Sequence, residues 1–109
     1  MQLKKTIKQT MTSQQIKGLR NVVVHSRVLQ ANGFYEVEYT QYSMMPYEVI
    51  VNRLVKEKYS DSSEFAILRK VINNPNNEEF ISYNNYVENC KLQAKAFIAE
   101  RDKALALNK

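Results

Sequence analysis

The chain has 109 residues, 44% hydrophobic and 25% charged, which is ordinary globular usage and excludes wholesale disorder. Two Gly and two Pro exclude a collagen-like or low-complexity chain, and a single Cys and a single His exclude a disulfide framework, a multi-Cys zinc site and a His-rich metal cluster. The formal net charge of +5 is unevenly spread: residues 1–35 carry six cations and no acid, while residues 36–109 carry ten cations and eleven acids.

A chain of this length makes one domain with a modest core. Met1-Gln2-Leu3-Lys4-Lys5 is basic, but no apolar run follows it, so it does not read as a signal peptide. No stretch approaches the roughly 20 apolar residues that span a bilayer. The expectation is a protein made and kept in a cytoplasm, or carried by something assembled there, and Cys90 fits a reducing compartment.

Residues 1–18 read as a basic N-terminal arm, with residues 19–109 as a single α+β domain. Leu3, Ile7 and Met11 recur at spacing four, the period of a helical face, but Thr6, Thr10 and Thr12 weaken a helix. The arm is therefore expected to be extended or partly helical and to order on a partner, with Gly18 as a hinge or helix stop. Such a basic segment suits an acidic partner, either nucleic acid or a protein surface. It lacks the interleaved aromatics of a single-strand platform.

Asn32-Gly33 stands between two β-rich runs and predicts a type I′ turn, because Asn-Gly supplies positive φ angles. The hairpin is expected over about 21–31 and 34–42. A two-residue turn sets Val28 opposite Val37, Arg27 opposite Glu38 and Val24 opposite Gln41. That register puts Val22, Val24, Val28, Tyr35, Val37 and Tyr39 on an apolar face, with Leu29, Glu36, Arg27, Glu38, His25 and Thr40 on the other.

Three helices are expected to cover the hairpin. Pro46 suits the first turn of a helix over about 46–58, whose buried stripe is expected to be Tyr47, Ile50, Val51, Leu54, Val55 and Lys58. Asp61, with Glu64 three residues on, caps a second helix over about 62–73, whose face is Phe65, Leu68, Val71 and Ile72. Asn76 or Asn77 caps a third over about 77–106, with Glu78 and Glu79 in its first turn. Phe80, Tyr83, Val87, Cys90, Ala94, Phe97 and Arg101 form its narrow seam. This helix runs about 45 Å, long for the chain, so its end after Phe97 is expected to project or to meet another chain.

His25 falls on the polar face of a strand and reads as a surface histidine. Cys90 lies on the seam and reads as a small core residue. No phosphate-cradling loop or zinc-protease motif is present, and Glu78, Glu79, Asp61 and Glu64 are accounted for by helix starts. No residues are assigned catalytic, cofactor or metal roles, and the chain reads as no enzyme. Seven tyrosines suit half-buried and interface positions, with base stacking as the second reading.

Lys58-Tyr59-Ser60, Glu64 with Ala66-Ile67-Leu68-Arg69, Glu78-Glu79-Phe80, and Tyr83-Asn84-Asn85-Tyr86-Val87-Glu88-Asn89-Cys90-Lys91 together form a pattern over the C-terminal half. It resembles small proteins encoded among the virion and tail genes of tailed bacteriophages. The chain departs from that pattern by inserting Val71-Ile72-Asn73-Asn74 before the Pro and by its longer basic arm. The resemblance implies a non-enzymatic virion protein, present in many copies per particle, that decorates the capsid or sits in the connector or tail region. Its expected partners are other virion proteins, with no membrane, cofactor or small-molecule substrate. The expected contact residues are Lys4, Lys5, Lys8, Lys17 and Arg20 on the arm, and Phe97 and Arg101 on the last helix. The alternatives are a basic nucleic-acid-binding accessory protein, touching nucleic acid weakly through the arm, and a tail-assembly chaperone absent from the mature particle.

Overall fold

The computed structural model describes residues 2–107, so residues 1, 108 and 109 of the expected arm and domain lie outside it. The elements are β1 (Lys4–Met11), α1 (Ser13–Lys17), β2 (Val22–Leu29), β3 (Tyr35–Tyr42), α2 (Tyr47–Lys56), α3 (Asp61–Asn73) and α4 (Glu78–Leu107). The chain is α+β, with a β-hairpin followed by three helices, as the sequence predicts. It divides into two compact units. One holds residues 2–44 with 99–107, and the other holds 45–98.

The first unit is a three-stranded antiparallel sheet in the order β1-β3-β2. Residues 4–11 are therefore not an arm that waits for a partner: they pair with β3 over eight positions, from Lys4 opposite Tyr42 to Met11 opposite Tyr35. Spacing four is twice the strand period, so Ile7 and Met11 share a face of a strand as readily as of a helix. The β-branched Thr6 and Thr10 favour the strand. Thr12 then caps the short α1 in a capping box with Gln15. Gly18 ends α1 as expected, but with φ −80, so no left-handed conformation is needed there.

The hairpin is shifted from its expected register. Its loop is three residues, 31–33: the Gln30 carbonyl accepts from Gly33 N–H at 3.0 Å, and Gln30 N–H donates to the Phe34 carbonyl at 2.8 Å. Within the loop Gly33 alone has a positive φ, +87, so the turn is not type I′, which needs two. Asn32 instead uses its side chain to accept from Phe34 N–H at 3.0 Å. Arg27 now faces Val37 and Val28 faces Glu36, which removes the expected Arg27–Glu38 pair. Val28 leaves the core face and is exposed, while the Arg27 guanidinium lies over the Tyr35 ring at 4.3 Å. A β-bulge between Val24 and Ser26 restores Val22 and Val24 to the core side. Met11, Val22, Val37 and Tyr39 form that core, with Ile7, Ile16, Leu19, Val24 and Tyr35 packed against it.

The second unit holds α2, α3 and the first two-thirds of α4. Pro46 stands at the N-cap of α2, and Ile50, Leu54 and Val55 are buried. The α3 cap is Ser60, whose hydroxyl accepts from Ser63 N–H at 3.2 Å, one residue before the expected Asp61. Asp61 and Glu64 turn instead to Lys56. Asn77 caps α4 by accepting from Phe80 N–H at 3.1 Å. The α4 seam is as expected: Cys90, Ala94, Phe97 and Arg101 are buried, and Phe80, Tyr83 and Val87 are half-buried.

Candidate functional site

Five of the six cations of residues 1–35 lie on β1 and on α1 with the turn after it, Arg27 lies on β2, and all are exposed. Strand alternation divides them. Lys4 and Lys8 share a face with Thr6 and Thr10, and Lys5 lies on the face of Ile7 and Met11. Lys4 donates to Glu100 at 2.5 Å and Lys8 pairs with Glu36 at 2.9 Å. The hydrogen bond to its carboxylate raises the pKa of each lysine. Lys5, Lys17 and Arg20 have no acidic partner among the described residues.

Phe97 and Arg101, expected to offer a contact surface, are only 7% and 8% exposed. Both belong to packing within the chain. Arg101 donates from Nη1 to the Ser43 carbonyl at 3.1 Å and from Nε to Asp102 at 3.1 Å. The end of α4 therefore does not project as a free arm: residues 99–107 are part of the sheet's own unit.

Of the α3 face expected to be covered, Phe65, Leu68, Val71 and Ile72, only Val71 is half-buried. Phe65, Leu68 and Ile72 are 70%, 46% and 80% exposed. Their 3–4 spacing makes one apolar row on the helix. The row beside it, Glu64, Ile67 and Val71, faces inward instead, with Ile67 fully buried. Periodicity alone favours the row whose members are all apolar. Glu64 overrides it, because its carboxylate meets Lys56 and accepts from the Tyr83 hydroxyl at 2.5 Å.

Around Glu64 lies a polar cluster that includes Lys56 and Tyr83. The hydrogen bond from Lys56, then that from Tyr83, holds the Glu64 carboxyl below the usual carboxylate range. Burial, then the bond to Glu64, pushes the Tyr83 phenol up to about 12. Tyr59 packs edge-on to Tyr83 with centroids 5.0 Å apart, and Tyr86 donates to the Leu54 carbonyl at 3.0 Å. Every group here has a partner within the chain, so the cluster ties α2, α3 and α4 together.

His25 lies at the bulge and is exposed. Its Nε2 is 2.6 Å from the Thr40 hydroxyl, which is 2.9 Å from that of Thr6, a chain of hydrogen bonds across all three strands. Cys90 is buried, and burial pushes its thiol pKa up, away from the thiolate a nucleophile needs. No group of three or more His, Cys, Asp or Glu among the described residues is placed to hold a metal. An open groove of about 580 Å³ runs past Ile16, Leu19, Val22, Val24, Asp102 and Leu105. The chain matches no protein-family model, no curated protein and no solved structure.

Proposed function

We propose that the protein is a non-enzymatic structural subunit that acts through protein–protein contacts, in the particle of a tailed bacteriophage, at the capsid surface or in the connector and tail region. The observation that carries this reading is the apolar row of Phe65, Leu68 and Ile72 on α3. Three large apolar side chains left in water on one helix face are an unused hydrophobic contact. Burying Phe65 and Ile72 on a partner contributes up to roughly 1.5–3 kcal/mol each, and Leu68, already about half covered, contributes less. The setting comes from the resemblance over residues 58–60, 64–69, 78–80 and 83–91 to small virion proteins of tailed phages.

Mass spectrometry of purified particles tests the reading. The chain should be present in many copies, and its absence overturns the structural role in favour of an assembly chaperone. The double variant Phe65→Ser with Ile72→Ser should change folding stability by no more than about 0.5 kcal/mol per site, as exposed positions do. It should nevertheless fail to enter particles. Normal incorporation of the variant would remove α3 as the contact.

A further inference from the structure

We propose that the outer edge of β1 accepts an extended acidic segment of another protein as a fourth strand. This rests on the reading that the protein works through protein contacts, and it names the kind of partner. β1 is an edge strand, paired only with β3 among the described residues. The phase of its hydrogen bonds follows from Ser43 N–H, which donates to the Leu3 carbonyl at 2.8 Å. Leu3 and Ser43 are thus a bonded pair, and in an antiparallel ladder the bonded pairs recur every second residue. Lys5, Ile7, Gln9 and Met11 therefore spend their amides on β3. Lys4, Thr6, Lys8 and Thr10 direct their N–H and C=O groups outward, four donors and four acceptors in a row.

The other edge differs. β2 is broken by the bulge at His25, a device that blunts an edge against pairing. β1 keeps one register through all eight of its pairs. Charge then selects the guest. β1 carries Lys4, Lys5 and Lys8, β2 carries His25 and Arg27, and neither carries an acid. Edge-to-edge pairing of two copies, β1 with β1 or β1 with β2, brings together strands that carry lysine or arginine and no acid, whereas an acidic guest meets them with opposite charge. Glu100 and Glu36 already meet Lys4 and Lys8 on one face. Lys5 lies on the opposite face, with no acidic partner among the described residues. α1 packs on that same face through Ile16 and Leu19, and Lys17 and Arg20 belong to the same stretch. A guest strand with acids at alternate positions, on the Lys5 side, satisfies both the free backbone and the free charge.

The test is amide hydrogen exchange by NMR on the full chain. The probes are a capped decapeptide of alternating Glu and Thr, its Lys-Thr counterpart, and a single-stranded oligonucleotide. The acidic peptide should slow exchange several-fold at the amides of Lys4, Thr6, Lys8 and Thr10, and the basic peptide should not. Lys5→Glu should abolish the effect of the acidic peptide and confer one on the basic peptide. Thr10→Pro removes an outward donor while sparing the β1–β3 ladder, so it should keep the fold and weaken binding. Unchanged exchange at those four amides with millimolar acidic peptide overturns the proposal. So does equal binding of both peptides, or stronger protection by the oligonucleotide. Failure here with normal particle incorporation removes strand addition alone, whereas absence from particles removes the structural role whatever the peptides do.

Discussion

Tyr83 and Glu64 show how one hydrogen bond couples to pH. The Tyr83 pKa in the folded chain, about 12, lies above the ordinary tyrosine value of about 10. Its contribution is therefore full below about pH 10 and is lost as pH rises towards 12. Urea unfolding of wild type and Tyr83→Phe should differ by a constant amount at neutral pH, and the difference should shrink above about pH 10. Glu64 titrates the other way. Its carboxyl is held low, first by Lys56 and then by Tyr83, so its contribution is present above the usual carboxylate range and is lost as pH falls through the depressed value. Glu64→Gln should flatten the acid limb of stability and also reduce the alkaline loss, leaving only the part of the Tyr83 shift that burial causes. Gly33 is a separate case: its φ of +87 suits no side chain, and a Cβ there meets no atom within 4 Å. Gly33→Ala should cost about 1 kcal/mol from backbone strain alone, read as a lower urea midpoint at unchanged slope.

At the scale of elements, helix existence was legible from apolar spacing and helix starts from polar clusters. The capping residue of α3 was not. Ser60 and Asp61 are adjacent and both cap well, and the choice turned on Lys56, which draws Asp61 and Glu64 away from the backbone. Ser60→Ala should therefore cost about 1 kcal/mol, while Asp61→Ala leaves the cap intact and costs less, measured by denaturant titration. The hairpin was legible as a hairpin, but its register was not. Asn32-Gly33 fits a two-residue or a three-residue loop equally well, and one residue of difference exchanged Val28 for Arg27 and Leu29 on the core side. β1 was hidden because its polar residues outnumber its apolar ones, as befits an edge whose backbone is half free.

Over the whole molecule, α4 contributes to both units, with Cys90, Ala94 and Phe97 buried in one and Arg101 in the other. Ile50 and Ile67 are the largest fully buried side chains. Either one changed to Ala should lower stability by about 2–5 kcal/mol, because removed core atoms leave a cavity. Ile72→Ala on the same helix as Ile67 should lower it far less, since Ile72 is 80% exposed. That contrast in thermal unfolding separates core from contact surface in two apolar residues of one helix.

From residue 21 onward the sequence alone determined the class of each element: strand-forming runs around Asn32-Gly33, then three capped amphipathic helices, with a 3–4 seam from Phe80 to Arg101. These follow from local chemistry, in which caps, turn residues and periodicity act over a few neighbours. Only the tertiary structure decided that residues 4–11 complete a sheet, that Phe97 and Arg101 are covered within this chain and not by another, and that Phe65, Leu68 and Ile72 face water. Those outcomes depend on which partner lies opposite. Burial is settled by competition between adjacent faces for one core, and an ion pair such as Lys56–Glu64 tips it with no trace in periodicity.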